Sequence, residues 1–113
     1  MHEMGITENI VSIVLDKAKE SNAKKITEVN LEIGALTQIV PDCIEFYFEI
    51  MTKDTIAKGA KLNIHSMPTK AKCLKCGNVF ETPELDLTCP KCGNLFSQLT
   101  GGKELAVTSI EVD

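Results

Sequence analysis

Hydrophobic residues near the amino terminus recur at the spacing of an α-helix. The pattern predicts an amphipathic helix from about Glu3 to Glu20, which ends at Ser21 and Asn22. Its apolar face contains Ile6, Ile10, Ile13, Val14 and Ala18, and its charged face contains Asp16, Lys17, Lys19 and Glu20. A helix with one apolar stripe buries that stripe against another layer, so we expect a sheet or a second helix to cover it.

Three later segments alternate apolar and polar residues, which is the pattern of half-buried strands. They are Ile26 to Gly34, Lys61 to Ser66, and Leu105 to Val112. In the first segment, Val29, Leu31 and Ile33 alternate with polar side chains. Because one face of this strand is polar, we expect helices to cover the sheet on one side only.

A second helix is predicted between the first two strands, because Pro41 and Asp42 are typical of a first helical turn. Its wide apolar arc contains Cys43, Ile44, Phe46, Tyr47, Phe48, Ile50 and Met51. One side of the arc must face the sheet, and the surplus is expected to meet the first helix or another protein. Cys43 has no partner cysteine at metal spacing, so we expect it to be a small buried residue.

Two short motifs between the second and third strands repeat the order Cys-x-x-Cys-Gly. Twelve residues separate the two cysteine pairs. Four thiolates delivered in this way can close a tetrahedral shell around one soft metal ion, and the glycine after each pair lets the backbone turn and aim its amides at the sulfurs. We therefore predict a structural Zn(II) site on Cys73, Cys76, Cys89 and Cys92. Two disulfides, or iron bound as in rubredoxin, are the alternatives.

The segment around the cysteines has few apolar residues, so metal binding must supply much of its folding free energy. Gly101 and Gly102 return the chain to the third strand, which makes this segment an insert. The connection between the first two strands is long enough for a parallel crossover. The predicted fold is a two-layer α/β (α+β) domain, with two helices on a three-stranded mixed sheet, and an inserted zinc ribbon. The expected boundaries are 1–68 plus 102–113 for the α/β domain and 69–101 for the ribbon.

The composition narrows the range of functions. The 113 residues carry a net charge of −4, with a pI of about 5.2, which argues against nucleic acid as a partner. Lysines near the cysteines are expected to form a solvated face or to balance the charge of the thiolates. No stretch has the length and hydrophobicity of a membrane span, and no secretory segment is recognisable, so we expect a soluble cytoplasmic protein without membrane contact.

The sequence contains no constellation of catalytic residues, and we expect the protein not to be an enzyme. Serine, histidine and aspartate do not combine into a nucleophilic set, and no glycine-rich loop begins a helix as a phosphate site requires. His65 lies alone on the polar phase of a strand and is expected to be an exposed surface residue.

The amino terminus carries a second candidate metal site. A bulky second residue normally prevents removal of the initiator methionine, so the free amine is expected on Met1, with a pKa of about 7.7–8.0. This amine, the backbone amide of His2 and the His2 imidazole can bind one metal ion in fused planar rings. The Glu3 amide or a side-chain oxygen can complete a square, which suits Ni(II) or Cu(II). From these residues alone, an ordinary frayed terminus is the alternative.

Several motifs occur in one order along nearly the whole chain. They are Met1-His2-Glu3-Met4, Leu31-Glu32-Ile33-Gly34-Ala35-Leu36, a helix with Phe46, Phe48 and Glu49, the two cysteine motifs, and Lys103-Glu104-Leu105. This order resembles the HypA/HybF family of nickel metallochaperones, which act in [NiFe]-hydrogenase maturation.

The resemblance implies Ni(II) as a transiently bound cargo at Met1, His2 and Glu3, with His2 essential and Glu3 assisting. It also implies structural zinc on the four cysteines, a HypB-type GTPase as partner, and delivery to the hydrogenase large subunit or, in some organisms, to urease maturation. The α/β domain would then be the nickel-binding domain. The recipient, the fourth nickel ligand, the surface that contacts the GTPase, and the choice between monomer and homodimer stay open.

Two other functions compete with nickel delivery. The first is a zinc-ribbon interaction or nucleic-acid-binding module in which His2 is incidental. The second is a small electron carrier with iron at the four cysteines. Nucleic-acid binding at physiological salt would favour the first, and colour after growth in iron-rich medium would favour the second.

Overall fold

The computed structural model describes residues 3–113. The helices are α1 (Glu3–Glu20) and α2 (Pro41–Met51), and a single 3-10 turn (Ala35–Thr37) precedes α2. The strands are β1 (Ile26–Gly34), β2 (Lys61–Met67), β3 (Lys70–Cys73), β4 (Val79–Glu81), β5 (Ser97–Gly101) and β6 (Leu105–Val112). They form two three-stranded sheets, with the orders β2-β1-β6 and β4-β3-β5. The predicted fold class, with two helices, a mixed three-stranded sheet and an inserted metal lobe, is confirmed.

The chain divides into two compact units. The first comprises the described residues up to Glu32, Ile39–His65 and Ala106–Asp113, and the second comprises Ile33–Gln38 and Ser66–Leu105. The two units are defined by contacts between residues, and they do not test a division by function. The predicted boundaries between the α/β domain and the ribbon, at 68/69 and 101/102, therefore stay a prediction.

The core of the first unit is aliphatic. α1 packs against α2, and Val14, Val29, Leu31 and Ile44 are fully buried. Burial of each such side chain contributes about 1.5–3 kcal/mol. The apolar stripe of α1 and the alternating apolar residues of β1 therefore explain why helices pack on the apolar face of the β2-β1-β6 sheet.

The polar face of this sheet is organised by Asn30 in the central strand. The Nδ2 group of Asn63 in β2 donates a hydrogen bond to Asn30 Oδ1 at 3.0 Å, and Asn30 Nδ2 donates to Ser109 Oγ in β6 at 3.0 Å. Thr108 Oγ1 donates to the Asn30 carbonyl at 3.2 Å. The three strands are thus joined by side chains as well as by their backbones, on the face that the sequence predicts to be polar.

Only part of the wide apolar arc of α2 belongs to the hydrophobic core. Ile44 and Phe48 are buried, whereas Phe46 and Ile50 are 59% and 55% exposed. Cys43 is only half-buried, so the expectation that it is buried is wrong. It lies in the first turn of the helix, directly after Pro41 and Asp42, which are exposed.

The second unit is built around β3, which pairs antiparallel with β4 on one side and β5 on the other. The chain enters it through Gly34, whose N–H donates to the Glu104 carbonyl at 2.7 Å. A Cβ atom on Gly34 would overlap the carbonyl of Gly102, so the close approach of these two backbones requires glycine. β3 ends at Cys73 and thereby delivers the first cysteine of the candidate metal site.

Candidate metal centre

The four cysteines of the two repeated motifs meet at one point of the second unit. The Sγ atoms of Cys73, Cys76, Cys89 and Cys92 all lie within 4.8 Å of one another. Cys73 and Cys89 are each 1% exposed, whereas Cys76 and Cys92 lie at the surface. Within residues 3–113, no other group of three or more cysteine, histidine or acidic side chains gathers in this way.

The sulfur–sulfur distances distinguish a metal site from disulfides. Cys73 Sγ lies 3.6 Å from Cys92 Sγ, and Cys76 Sγ lies 3.6 Å from Cys89 Sγ. A disulfide would need about 2.05 Å. Four sulfurs around a tetrahedral zinc, each at about 2.3 Å, would lie about 3.8 Å apart. The spacing is therefore close to that of four thiolates around one metal ion, and both 3.6 Å contacts join one motif to the other.

Each Cys-x-x-Cys-Gly motif folds into the same turn. The Gly77 N–H donates to the Cys73 carbonyl at 3.1 Å, and the Gly93 N–H donates to the Cys89 carbonyl at 2.9 Å. Both glycines have φ of +77°, a conformation that other residues adopt only at a cost. The tight turn predicted at the two glycines is confirmed.

Backbone amides favour the thiolate form at the two buried cysteines. The N–H groups of Cys76 and Lys75 approach Cys73 Sγ at 3.5 and 3.4 Å. The Cys76 amide is the largest cause, and with the Lys75 amide it lowers the pKa of Cys73 to about 6 despite burial. Burial raises the pKa of Cys89, but the Cys92 and Lys91 amides outweigh it and leave that pKa below its usual value.

The fourth thiol behaves in the opposite way. The backbone N–H of Asn94 lowers the pKa of Cys92, but desolvation and the three neighbouring cysteines outweigh it and raise that pKa to about 11. The Cys92 thiol is therefore not favoured as a thiolate near neutral pH unless a cation neutralises its neighbours. A divalent, thiolate-preferring ion held by these four residues would supply that charge.

The predicted amino-terminal site lies only partly within the described residues. Met1 and His2 fall outside them. Glu3 is the first residue of α1, and its Oε2 accepts a hydrogen bond from the backbone N–H of Val40 at 3.4 Å. Val40 immediately precedes α2, so the Glu3 carboxylate links the starts of the two helices. Sequence periodicity could not reveal this link, because 37 positions separate the two residues.

The remaining candidate residues behave as simple surface groups. His65 is exposed on β2, as predicted. In the part of the chain that the structure describes, neither helix is long and apolar enough to span a membrane.

Comparison with known proteins gives one consistent result. The family model described as "Hydrogenase/urease nickel incorporation, metallochaperone, hypA" matches residues 1–112. The chain is 39% identical, over its full length and 95% of the relative, to the hydrogenase maturation factor HypA of Dehalococcoides mccartyi strain 195. It is 42% identical to HypA 2 of Bradyrhizobium diazoefficiens, with both chains fully covered. The solution structure of the Ni metallochaperone HypA from Helicobacter pylori is similar, with a TM-score of 0.70, 27% identity, and coverage of 99% of this chain and 97% of that one.

Proposed function

This chain belongs to the HypA family of hydrogenase/urease nickel-incorporation metallochaperones, and we propose that it binds Ni(II) at its amino terminus and delivers it during maturation of a [NiFe]-hydrogenase. The recipient would be the large subunit of the hydrogenase, and urease is a second destination consistent with the family description. The observation that carries this proposal is the match of the family to residues 1–112, which begin with Met1-His2-Glu3.

Nickel is the cargo in this proposal, and its ligands are the Met1 amine, the His2 amide and the His2 imidazole. Nitrogen donors in one plane suit low-spin Ni(II) and suit zinc poorly. We propose that the Glu3 amide completes the square, because the Glu3 carboxylate already accepts a hydrogen bond from Val40. The carboxylate would then assist by positioning the terminal segment.

Zinc is the resident metal in this proposal. Cys73, Cys76, Cys89 and Cys92 would hold it, and the sulfur spacing of 3.6 Å supports a tetrahedral shell. When bound, zinc supplies a redox-inactive cross-link between the two cysteine motifs. All four ligands come from the protein, so this ion has no open position for cargo.

The two sites thus differ in what they must do. A cargo ion must leave, so a chelate at a chain terminus with one histidine is suitable. Amine and imidazole nitrogens gain protons as the pH falls, so nickel affinity is expected to fall in acid. A resident ion must stay, and a closed thiolate shell retains it.

The partners follow from the family. We propose a HypB-type GTPase and the hydrogenase large subunit as the proteins that this chain contacts, acting in the cytoplasm. The family is described as a metallochaperone, so binding and transfer of metal, and not catalysis, are the proposed activity. The acidic composition supports protein partners over nucleic acid.

A nickel titration tests the terminal site directly. Protein with Met1 as its first residue is compared by calorimetry with protein that carries one additional residue before Met1. The first should bind one Ni(II) and develop the visible absorption of square-planar nickel. The extension converts the Met1 amine into an amide and should abolish both signals. Equal binding by the two proteins would reject the terminal chelate.

A further inference from the structure

Each cysteine motif is followed directly by an asparagine, and the two asparagines occupy equivalent positions. The Cys73 N–H donates to the Asn78 carbonyl at 2.9 Å, and the Cys89 N–H donates to the Asn94 carbonyl at 2.9 Å. The main chain of each asparagine therefore closes the turn of its own motif. The side chains are then directed by a backbone that the preceding glycine has already turned.

The side chains of the two asparagines cross to the opposite motif. Asn78 Nδ2 lies 3.8 Å from Cys89 Sγ, and Asn94 Nδ2 lies 3.8 Å from Cys73 Sγ. These are long N–H···S hydrogen bonds, as expected for the large sulfur atom. Both acceptors are the first cysteine of a motif, and both are 1% exposed. The contact is thus made twice, with the same atoms and in reciprocal directions.

From this geometry we propose that Asn78 and Asn94 are positioning residues that hold the two halves of the metal site together and slow the loss of the metal. An amide N–H that donates to a thiolate stabilises its negative charge and fixes its orientation. Each asparagine belongs to one motif by its backbone and to the other by its side chain. The pair therefore acts as a clamp across the metal, in addition to the metal itself.

The clamp divides the four ligands into two classes. The buried sulfurs of Cys73 and Cys89 receive the asparagine amides, whereas Cys76 and Cys92 lie at the surface. A competing chelator or an incoming proton reaches the exposed sulfurs first. Metal loss should therefore begin at Cys76 or Cys92, and the clamp should favour rebinding by keeping the other two sulfurs in place.

The two asparagines also differ in one respect. Asn94 Nδ2 donates to the Phe96 carbonyl at 3.0 Å as well, so replacing Asn94 disturbs the local turn. Asn78 is therefore the cleaner position to change. Asn78→Asp keeps the shape of the side chain but replaces the donor with a negative charge next to a thiolate.

The first test uses the unaltered protein, with zinc replaced by an NMR-active cadmium isotope. The proposal, which rests on the metal site of the proposed function, predicts scalar coupling between cadmium and the side-chain amide protons of Asn78 and Asn94. Coupling to the backbone amides of Lys75 and Cys76 without coupling to either asparagine would overturn the clamp and leave the metal site intact. Failure to bind cadmium at all would overturn the metal site as well.

The second test measures the rate of zinc transfer to a coloured chelator at neutral pH. Asn78→Ala should accelerate transfer about fivefold, equivalent to about 1 kcal/mol for one hydrogen bond, and Asn78→Asp should accelerate it further. Gln98→Ala is the matched control, because Gln98 is exposed on β5 in the same unit. Equal rates for the unaltered protein, both Asn78 variants and the control would overturn the proposal.

Discussion

At the scale of single residues, the cysteine cluster depends on where backbone N–H groups point. Gly77 and Gly93 both adopt φ of +77° and donate their N–H groups to the carbonyls of Cys73 and Cys89, so each motif turns back toward its first cysteine. Within each motif, the N–H groups of the two residues before the glycine lower the pKa of the first cysteine. The thiolate form that a cation would bind is thus favoured by the backbones of Cys76 and Cys92, which are in the ligand set, and of Lys75 and Lys91, which are not.

Replacing glycine by alanine is expected to change the free energy of unfolding in opposite directions at Gly77 and at Gly5. Gly77→Ala should destabilise the metal-bound second unit by about 1 kcal/mol, because alanine is strained at positive φ even where space is open. Gly5→Ala is the control, since Gly5 lies inside α1 and a Cβ there meets nothing within 4 Å. That change should stabilise the protein by about 0.5–1 kcal/mol. Urea unfolding of the two zinc-loaded variants measures both effects, and stabilisation by Gly77→Ala would contradict the argument.

The nickel proposal also belongs to this scale. His2→Ala removes the only side-chain nitrogen in the proposed ligand set and should abolish specific Ni(II) binding in calorimetry, while zinc content and the unfolding transition stay unchanged. Glu3→Ala should weaken nickel binding less, because its backbone amide survives and only the carboxylate that accepts from Val40 is lost. If His2→Ala bound nickel as tightly as the unaltered protein, the ligands would have to be sought elsewhere, beginning with His65.

At the scale of elements, α2 separates two uses of one apolar surface. Phe48 is 3% exposed and belongs to the core, whereas Phe46 is 59% exposed two positions earlier in the helix. The rings of Phe46 and Tyr47 contact each other edge to face, with centroids 5.5 Å apart. Sequence alone predicts that the arc exceeds what the sheet can cover, and the structure identifies which residues form the surplus.

Alanine substitution should separate these two roles. Phe48→Ala should lower the free energy of unfolding by about 3–5 kcal/mol, because it empties a buried site. Phe46→Ala should change stability by less than about 1 kcal/mol, because its ring is mostly in solvent, and should weaken binding to a HypB-type GTPase if this face is the contact surface. Thermal unfolding and a GTPase binding assay check the pair. A large loss of stability from Phe46→Ala alone would show that Phe46, and not only Phe48, belongs to the core.

Helices and strands whose apolar residues recur at a regular spacing could be predicted from the sequence. The bounds of α1, β1 and β6 agree with the predicted ones, and β2 extends one residue further to Met67. The strands β3, β4 and β5 could not be predicted individually, since they have only three to five residues each, too few for a periodic pattern to be distinguished. Cysteine spacing predicts that four sulfurs meet, but it does not reveal the amides of Asn78 and Asn94, which depend on three-dimensional position.

At the scale of the whole molecule, the two units are stabilised by different means. The first has an aliphatic core that includes Val14 and Leu31. Among residues 66–105, the buried hydrophobic side chains are Ala71, Cys73 and Cys89, whereas Leu95 and Phe96 are 68% and 71% exposed. Two of the three buried groups are therefore thiols of the cluster. In our proposal, the metal takes the place that a hydrophobic core occupies in a larger unit.

Removal of the metal should consequently unfold one unit selectively. Chelation, or Cys73→Ser, deprives the second unit of a contribution on the order of 10 kcal/mol, so amide NMR signals of residues 66–105 should collapse toward random-coil positions. The helical circular dichroism should persist, because α1 and α2 both belong to the first unit. Cys43→Ser is the matched control, since Cys43 lies in α2 outside the cluster, and it should retain one zinc per chain. Dispersed signals for residues 66–105 in fully metal-free protein would show that the unit has a core of its own.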